Sequence, residues 1–140
     1  MFELTQTPFG KYRLYALHHP ETGHGFSIVP GLGATVLEIR FNGTNVLDGY
    51  QSPEELDAGE WGKSAVLFPF PNRLKDGHYS WLGHDYYFPI NNAGTGNAIH
   101  GFVRRENFEV TRIELTKEQA ELSCLLNYRG QHTWYPFPFS

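Results

Sequence analysis

Two stretches of the chain combine residue types that hold oxygen-rich ligands. The first is Leu67-Phe68-Pro69-Phe70-Pro71-Asn72-Arg73-Leu74. Arg73 closes a run of apolar residues and prolines, so a guanidinium is pressed against apolar surface and its five donors need acceptors. Hydroxyls and carboxylates both serve. A salt bridge to Asp76 or Glu60 is the competing reading of Arg73, and Asn72 serves equally as a turn holder or a loop anchor. The second stretch is Asn91-Asn92-Ala93-Gly94-Thr95-Gly96-Asn97-Ala98-Ile99-His100-Gly101-Phe102. His100 follows an amide-rich loop and precedes Gly101, which lets the backbone pass close to another group. Imidazole titrates near neutral pH, so it donates to or accepts from an oxygen whose protonation changes. A histidine that merely bridges two loops is the competing reading. Trp61, Phe68, Phe70, Trp81, Tyr86, Tyr87 and Phe102 lie in or beside these stretches. Aromatic faces stack on C–H surfaces while amides and arginine take hydroxyls. The combination favours a neutral polyhydroxylated ligand, with Trp81, Tyr87 and Phe108 assigned to the core.

Other chemistries fit less well. Among the seven histidines, His18 and His19 are adjacent and point to opposite faces of a strand. His18 and His24 could meet across a hairpin, but no acidic or thiol partner completes a tetrahedral set, so no metal is expected. Pro30-Gly31-Leu32-Gly33-Ala34 lacks the third glycine of a dinucleotide fingerprint and leads into alternation, not a helix. Neither a serine nucleophile elbow nor a phosphate-binding Gly-Lys-Ser/Thr loop is present. Net charge is -4 over 140 residues, which argues against nucleic acid as a partner. No apolar stretch approaches the length of a membrane helix. The start carries Glu3 and no apolar signal region, which predicts a cytoplasmic protein. Cys124 is the single cysteine, so no internal disulfide forms.

These residues need a scaffold, and the remaining sequence describes one. Short alternating runs separated by Gly, Pro, Asn and Asp predict an all-β sandwich or barrel. The runs are Tyr12 to Leu17, Gly25 to Val29 and Thr35 to Phe41, the last with Leu37, Ile39 and Phe41 on one face. Asn42-Gly43 predicts a tight hairpin returning through Val46-Leu47. Ser52 to Gly59 predicts a short helix, with Ser52 as cap, Pro53 at its first position and acidic residues in its first turn. Further hairpins are expected at His78–Trp81 with Tyr86–Phe88, around Leu82 to Asp85, and at Phe108–Leu115 with Ala120–Tyr128, the latter burying Cys124. The prolines of Tyr135 to Phe139 predict an edge strand. Pro69 to Gly77 and Pro89 to Arg105 read as loops, where chemistry is usually carried.

Taken in order, several of these segments resemble the aldose 1-epimerase (galactose mutarotase) family. They are Gly33-Ala34-Thr35-Val36, the stretch from Phe68 to Gly77 with its Asn72-Arg73 pair, the stretch from Tyr79 to Tyr86, Ile90-Asn91-Asn92, and Asn97-Ala98-Ile99-His100-Gly101-Phe102. The resemblance covers nearly the whole chain. It implies an antiparallel β-sandwich of galactose mutarotase type, the supersandwich. It also implies interconversion of the α and β anomers of a free aldose, without cofactor or metal. In the family a carboxylate base takes the anomeric hydroxyl proton while a histidine acid protonates the ring oxygen. The ring opens, the aldehyde rotates and the ring recloses. Carried over by motif, Arg73 and His100 hold the sugar, His100 is the catalytic position, and Asn72 and Asn97 bind substrate in lesser roles. Family members are considerably longer. Their second histidine, sugar-binding aspartate and glutamate base match nothing here. Residues 1–140 are therefore expected to form the N-terminal part of one truncated sandwich domain, lacking the acid and base, with an exposed sheet edge that invites homodimerisation. The expected partner is a small-molecule sugar. A non-catalytic carbohydrate-binding or regulatory module on the same scaffold is the alternative, and an interaction domain docking through Tyr135 to Phe139 is a third.

Overall fold

Alternation and tight turns generate a meander at the start of the chain. A computed structural model describes residues 1–140. Strands β1 (Glu3–Phe9), β2 (Tyr12–His18), β3 (Gly25–Val29), β4 (Thr35–Phe41) and β5 (Thr44–Asn45) pair in sequence order as an antiparallel sheet. Leu17 opposes Phe26 and Tyr15 opposes Ile28. Asn42 and Gly43 take φ of 49° and 79°, the left-handed pair that joins twisted strands without splaying them. The return strand starts earlier than Val46, because Thr44 and Asn45 already pair with Phe41 and Arg40.

The even alternation expected of β4 fails at a bulge. Ser27 opposes Glu38 while Ile28 opposes Val36, so Leu37 is the extra residue. Leu37 is buried, whereas Ile39 and Phe41 are 36% and 58% exposed. Past the bulge β4 is flanked on one side by only the two-residue β5, too little to bury a hydrophobic face.

The following helix, α1 (Pro53–Ala58), has the expected caps. Ser52 Oγ accepts from the Glu55 N–H, Pro53 opens the first turn, and Gly59 closes it at φ 64°. Arg105 donates to the carbonyls of Leu56 and Asp57, two of the carbonyls that the helix leaves unpaired. Leu56 joins Val29, Leu32, Leu37 and Tyr50 in a core, with Phe9, Tyr12 and Leu14 against it.

Strands β10 (Glu109–Leu115) and β11 (Ala120–Leu125) form an antiparallel ribbon. Its turn is organised by Thr116 Oγ1, which accepts from the N–H groups of Glu118 and Gln119. The second arm ends at Leu125, short of Tyr128, and Cys124 is half-buried.

The chain resolves into two compact units, Met1–Val66 with Arg105–Leu125 and Leu67–Arg104 with Leu126–Ser140. The elements above make up the first. The second holds four short strands, β6 (Arg73–Leu74), β7 (His78–Trp81), β8 (His84–Tyr87) and β9 (Ala98–Ile99). β7 and β8 form a hairpin whose turn is Leu82-Gly83 alone, at φ of 50° and 80°. Two left-handed residues suffice to reverse the chain, so His84 and Asp85 lie within the strand and not in a four-residue loop. Trp81 and Tyr87 are 56% and 63% exposed. The sequence placed them in the core, but nothing within this unit covers that face of the hairpin.

Tyr135 to Phe139 does not form an edge strand. It makes only isolated bridges, Tyr128 to Phe139 and His132 to Tyr135. Pro136 and Pro138 have no N–H to donate, so a ladder cannot continue. The rings pack instead. Phe139 lies 4.6 Å from Phe68 and 5.0 Å from Tyr128, and Phe102 lies 5.2 Å from Trp134. No helix is long and apolar enough to cross a membrane.

Candidate functional site

The two loops singled out by their chemistry are joined by a ladder that neither signals alone. β6 and β9 pair antiparallel, Arg73 opposite Ile99 and Leu74 opposite Ala98. The next rung is the His100 N–H donating to the Asn72 carbonyl at 2.9 Å. Residues distant in sequence thus become neighbours, and Asn72, Arg73 and His100 share one corner of the second unit.

A side-chain amide pins this corner. Asn91 Oδ1 accepts from the Ile99 N–H at 2.7 Å, and its Nδ2 donates to the Ile99 carbonyl at 2.9 Å. One residue therefore holds both backbone groups immediately before His100. Asn91 lies inside the amide-rich segment, and nothing in the spacing tells it from Asn92 or Asn97.

The backbone at the site is unusual. His100 and Gly101 have φ of 64° and 61°. A left-handed non-glycine residue is costly and persists only where its surroundings fix it. Here the fixing groups are the Asn72 carbonyl on one side and the Phe68 carbonyl on the other, which accepts from the Phe102 N–H at 3.0 Å. A Cβ on Gly101 would fall 1.9 Å from the Phe68 oxygen. The group that passes close to this glycine is thus the backbone of Phe68.

The result is an oriented imidazole. His100 Nδ1 lies 2.8 Å from the Pro71 carbonyl oxygen. A carbonyl only accepts, so Nδ1 carries the proton. That leaves Nε2 to accept when the ring is neutral and to donate when it is cationic. Arg73 is exposed and donates to Asn72 Oδ1 at 3.3 Å. The anticipated bridge to Asp76 is not formed. Asn97 Oδ1 accepts from the Asp76 N–H at 3.1 Å, so its amide oxygen holds the turn from Lys75 to Gly77.

A second polar cluster lies on the β7–β8 hairpin. Asp85 Oδ1 accepts from Ser80 Oγ at 2.5 Å and lies 2.8 Å from His78 Nε2. Ser80 and then His78 hold this carboxyl below its usual range. Ser80 bonds the aspartate and not the imidazole, so this is no nucleophilic relay. Tyr79 donates to the Trp134 carbonyl, and burial pushes its phenol up to about 12. Nowhere do three His, Cys, Asp or Glu residues gather as a metal site would require.

A family model for aldose 1-epimerase matches residues 14–140. A protein of Escherichia coli K12 called YihR, itself uncharacterized, is 34% identical over 95 residues, which cover 68% of this chain and 29% of YihR. The crystal structure of a galactose mutarotase-like protein from Clostridium acetobutylicum superposes with a TM-score of 0.80 at 22% identity, over 94% of this chain and 40% of that one. Galactose 1-epimerase from Lactobacillus acidophilus NCFM gives 0.70 at 16% identity, over 91% and 39%. The fold is thus the antiparallel β-sandwich of galactose mutarotase type, and the chain spans well under half the length of these relatives.

Proposed function

The chain belongs to the aldose 1-epimerase family, and from that premise we propose that Arg73 and His100 form part of the sugar-binding wall of an enzyme that equilibrates the anomers of a free aldose. The observation that carries this reading is the tether from His100 Nδ1 to the Pro71 carbonyl. It fixes the ring while leaving Nε2 unengaged, beside an arginine whose guanidinium is bound only to Asn72.

Chemically, mutarotation needs a base on the anomeric hydroxyl and an acid on the ring oxygen, on opposite sides of the anomeric carbon. The base takes the hydroxyl proton, the bond from the anomeric carbon to the ring oxygen breaks, and the aldehyde forms. His100 Nε2 donates a hydrogen bond to the departing ring oxygen, whose proton comes from an acid that, like the base, matches no residue of this chain. After rotation of the aldehyde the reverse transfers reclose the ring on either face. Arg73 donates to hydroxyls, and donors already in place lower the cost of charge developing on oxygen. Asn72 steers the guanidinium, and Asn97 supports the site through its turn. The preferred ligand is a neutral aldose. No metal or cofactor enters the scheme.

The test is polarimetric equilibration of freshly dissolved aldose by the intact protein. His100→Ala should lower the rate by about 100-fold or more, the usual cost of removing one donor from charge developing on oxygen. An unchanged rate refutes the assignment. A non-catalytic sugar-binding module is the second reading. It is favoured by the hydrogen bonding of Arg73 and His100, which goes to an amide and a carbonyl and not to a carboxylate able to act as base. Sugar binding abolished by Arg73→Ala, without any acceleration by the parent protein, would select it.

A further inference from the structure

The first unit displays an indole that its own residues leave uncovered. Trp61 is 92% exposed and has φ of 65°. It sits between Gly59 and Gly62, at φ of 64° and 58°. The turn is clasped from beneath by Tyr50, itself only 6% exposed. The Tyr50 hydroxyl donates to the Glu60 carbonyl at 2.7 Å and accepts from the Lys63 N–H at 3.1 Å. A buried phenol thus holds both ends of a strained turn whose apex is an unburied tryptophan. No residue of the first unit covers the indole, although an indole is among the most favourable side chains to bury, and strain of this kind collects where a ligand is met.

Beside the indole is a hollow of about 450 Å³, lined by Tyr50, Trp61, Lys63 and the glutamates Glu54, Glu55 and Glu60, with Ala58. Its size is that of a small-ligand site. Three carboxylates against one ammonium leave it net negative. Glu55 is engaged by the Gln51 N–H, and Lys63 is paired with Asp48. Glu54 and Glu60 make no ion pair within this unit.

The same unit already shows what such a wall attracts. Lys63 Nζ lies 5.8 Å from the centroid of the Tyr50 ring while bonded to Asp48 Oδ1 at 3.0 Å. An aromatic face and a carboxylate together hold an ammonium there. Trp61 offers a better aromatic face for a cation, and Glu54 and Glu60 offer carboxylates, with no ammonium of the unit's own upon them. We propose that this hollow is a binding site for a small ligand bearing a protonated amine, with the ammonium set against Trp61 and the Glu54 and Glu60 carboxylates. The site is independent of the Arg73–His100 reading.

Two probes that differ in one group isolate the charge: 2-amino-2-deoxyglucose and glucose, at about pH 6 where the amine is protonated. The readout is the indole N–H resonance of Trp61 in the intact protein, assigned by its loss in Trp61→Phe. The amino sugar should move this resonance saturably and glucose should not. Glu54→Gln with Glu60→Gln, both exposed and so tolerant of change, should weaken the amino sugar by about five- to tenfold. Arg73→Ala should leave it unaltered, which separates this site from the other. Equal responses to both sugars, no response to either, or undiminished affinity in the double glutamine variant would each overturn the proposal.

Discussion

Each of the two units is stabilised internally by its own means. In the first, β1 and β2 pair over seven residues in unbroken register, and aliphatic side chains such as Leu17, Val29 and Leu56 are almost wholly buried. In the second, two ladders are only two and four residues long, and packing is dominated by rings. Phe88 alone lies within 6.4 Å of five other aromatic residues, from Trp134 at 4.8 Å to Phe102 at the far limit. Amides take the place of missing ladder bonds there, Asn91 at Ile99 and Asn97 at Asp76. Long ladders fix a register but allow few departures from extended backbone. Short ones, braced by amides and rings, leave room for the left-handed pair that aims His100.

One left-handed glycine from each unit gives the largest expected difference. Gly101→Ala would drive a Cβ into the Phe68 carbonyl and hold alanine at φ 61°. It should cost upward of about 3 kcal/mol and disrupt the second unit. Gly43→Ala in the first unit meets nothing within 4 Å, with only φ 79° against it. That change should cost about 1–2 kcal/mol. Urea denaturation of the two variants measures both, and similar losses would break the comparison.

Next in size is the amide clamp. Asn91→Leu removes both bonds to Ile99 and should cost about 1–3 kcal/mol, with weakened sugar binding at Arg73 and His100. Asn91→Asp keeps the acceptor for the Ile99 N–H but sets a carboxylate against its carbonyl, so it should recover only part. Titration with an aldose, beside denaturation, checks both.

The smallest expected effect is a pH dependence. Tyr79 holds its proton to about 12 in the folded state, against about 10 unfolded. Its contribution is full below pH 10 and is lost as pH rises from about 10 toward 12. Tyr79→Phe should flatten alkaline unfolding across that window, read from the indole signal of Trp134, whose carbonyl Tyr79 binds.

How much was legible follows the same division. Alternation located Gly25–Val29 and Thr35–Phe41 to the residue, and local capping rules located α1, because these signals lie within a few consecutive residues. The bulge at Leu37 escaped, since it depends on how β3 and β4 meet. In the second unit Arg73 and His100 were legible as chemistry, but their pairing was not. A two-residue ladder has no periodicity to read, and the amide that secures it lies eight residues before its partner. Likewise Gly101 announced a close approach without naming the Phe68 carbonyl. Asn97 was legible as an amide near the site, but not as the acceptor that holds the Asp76 turn.

The lone thiol on β11 acquires a use from its placement. Burial pushes the Cys124 thiol up, so little thiolate is present near neutrality and alkylating reagents meet a sluggish target. Once the β10–β11 ribbon opens, the same sulfur becomes ordinary. Its modification rate therefore rises with opening of that ribbon, a single-site probe of local unfolding without any label being engineered.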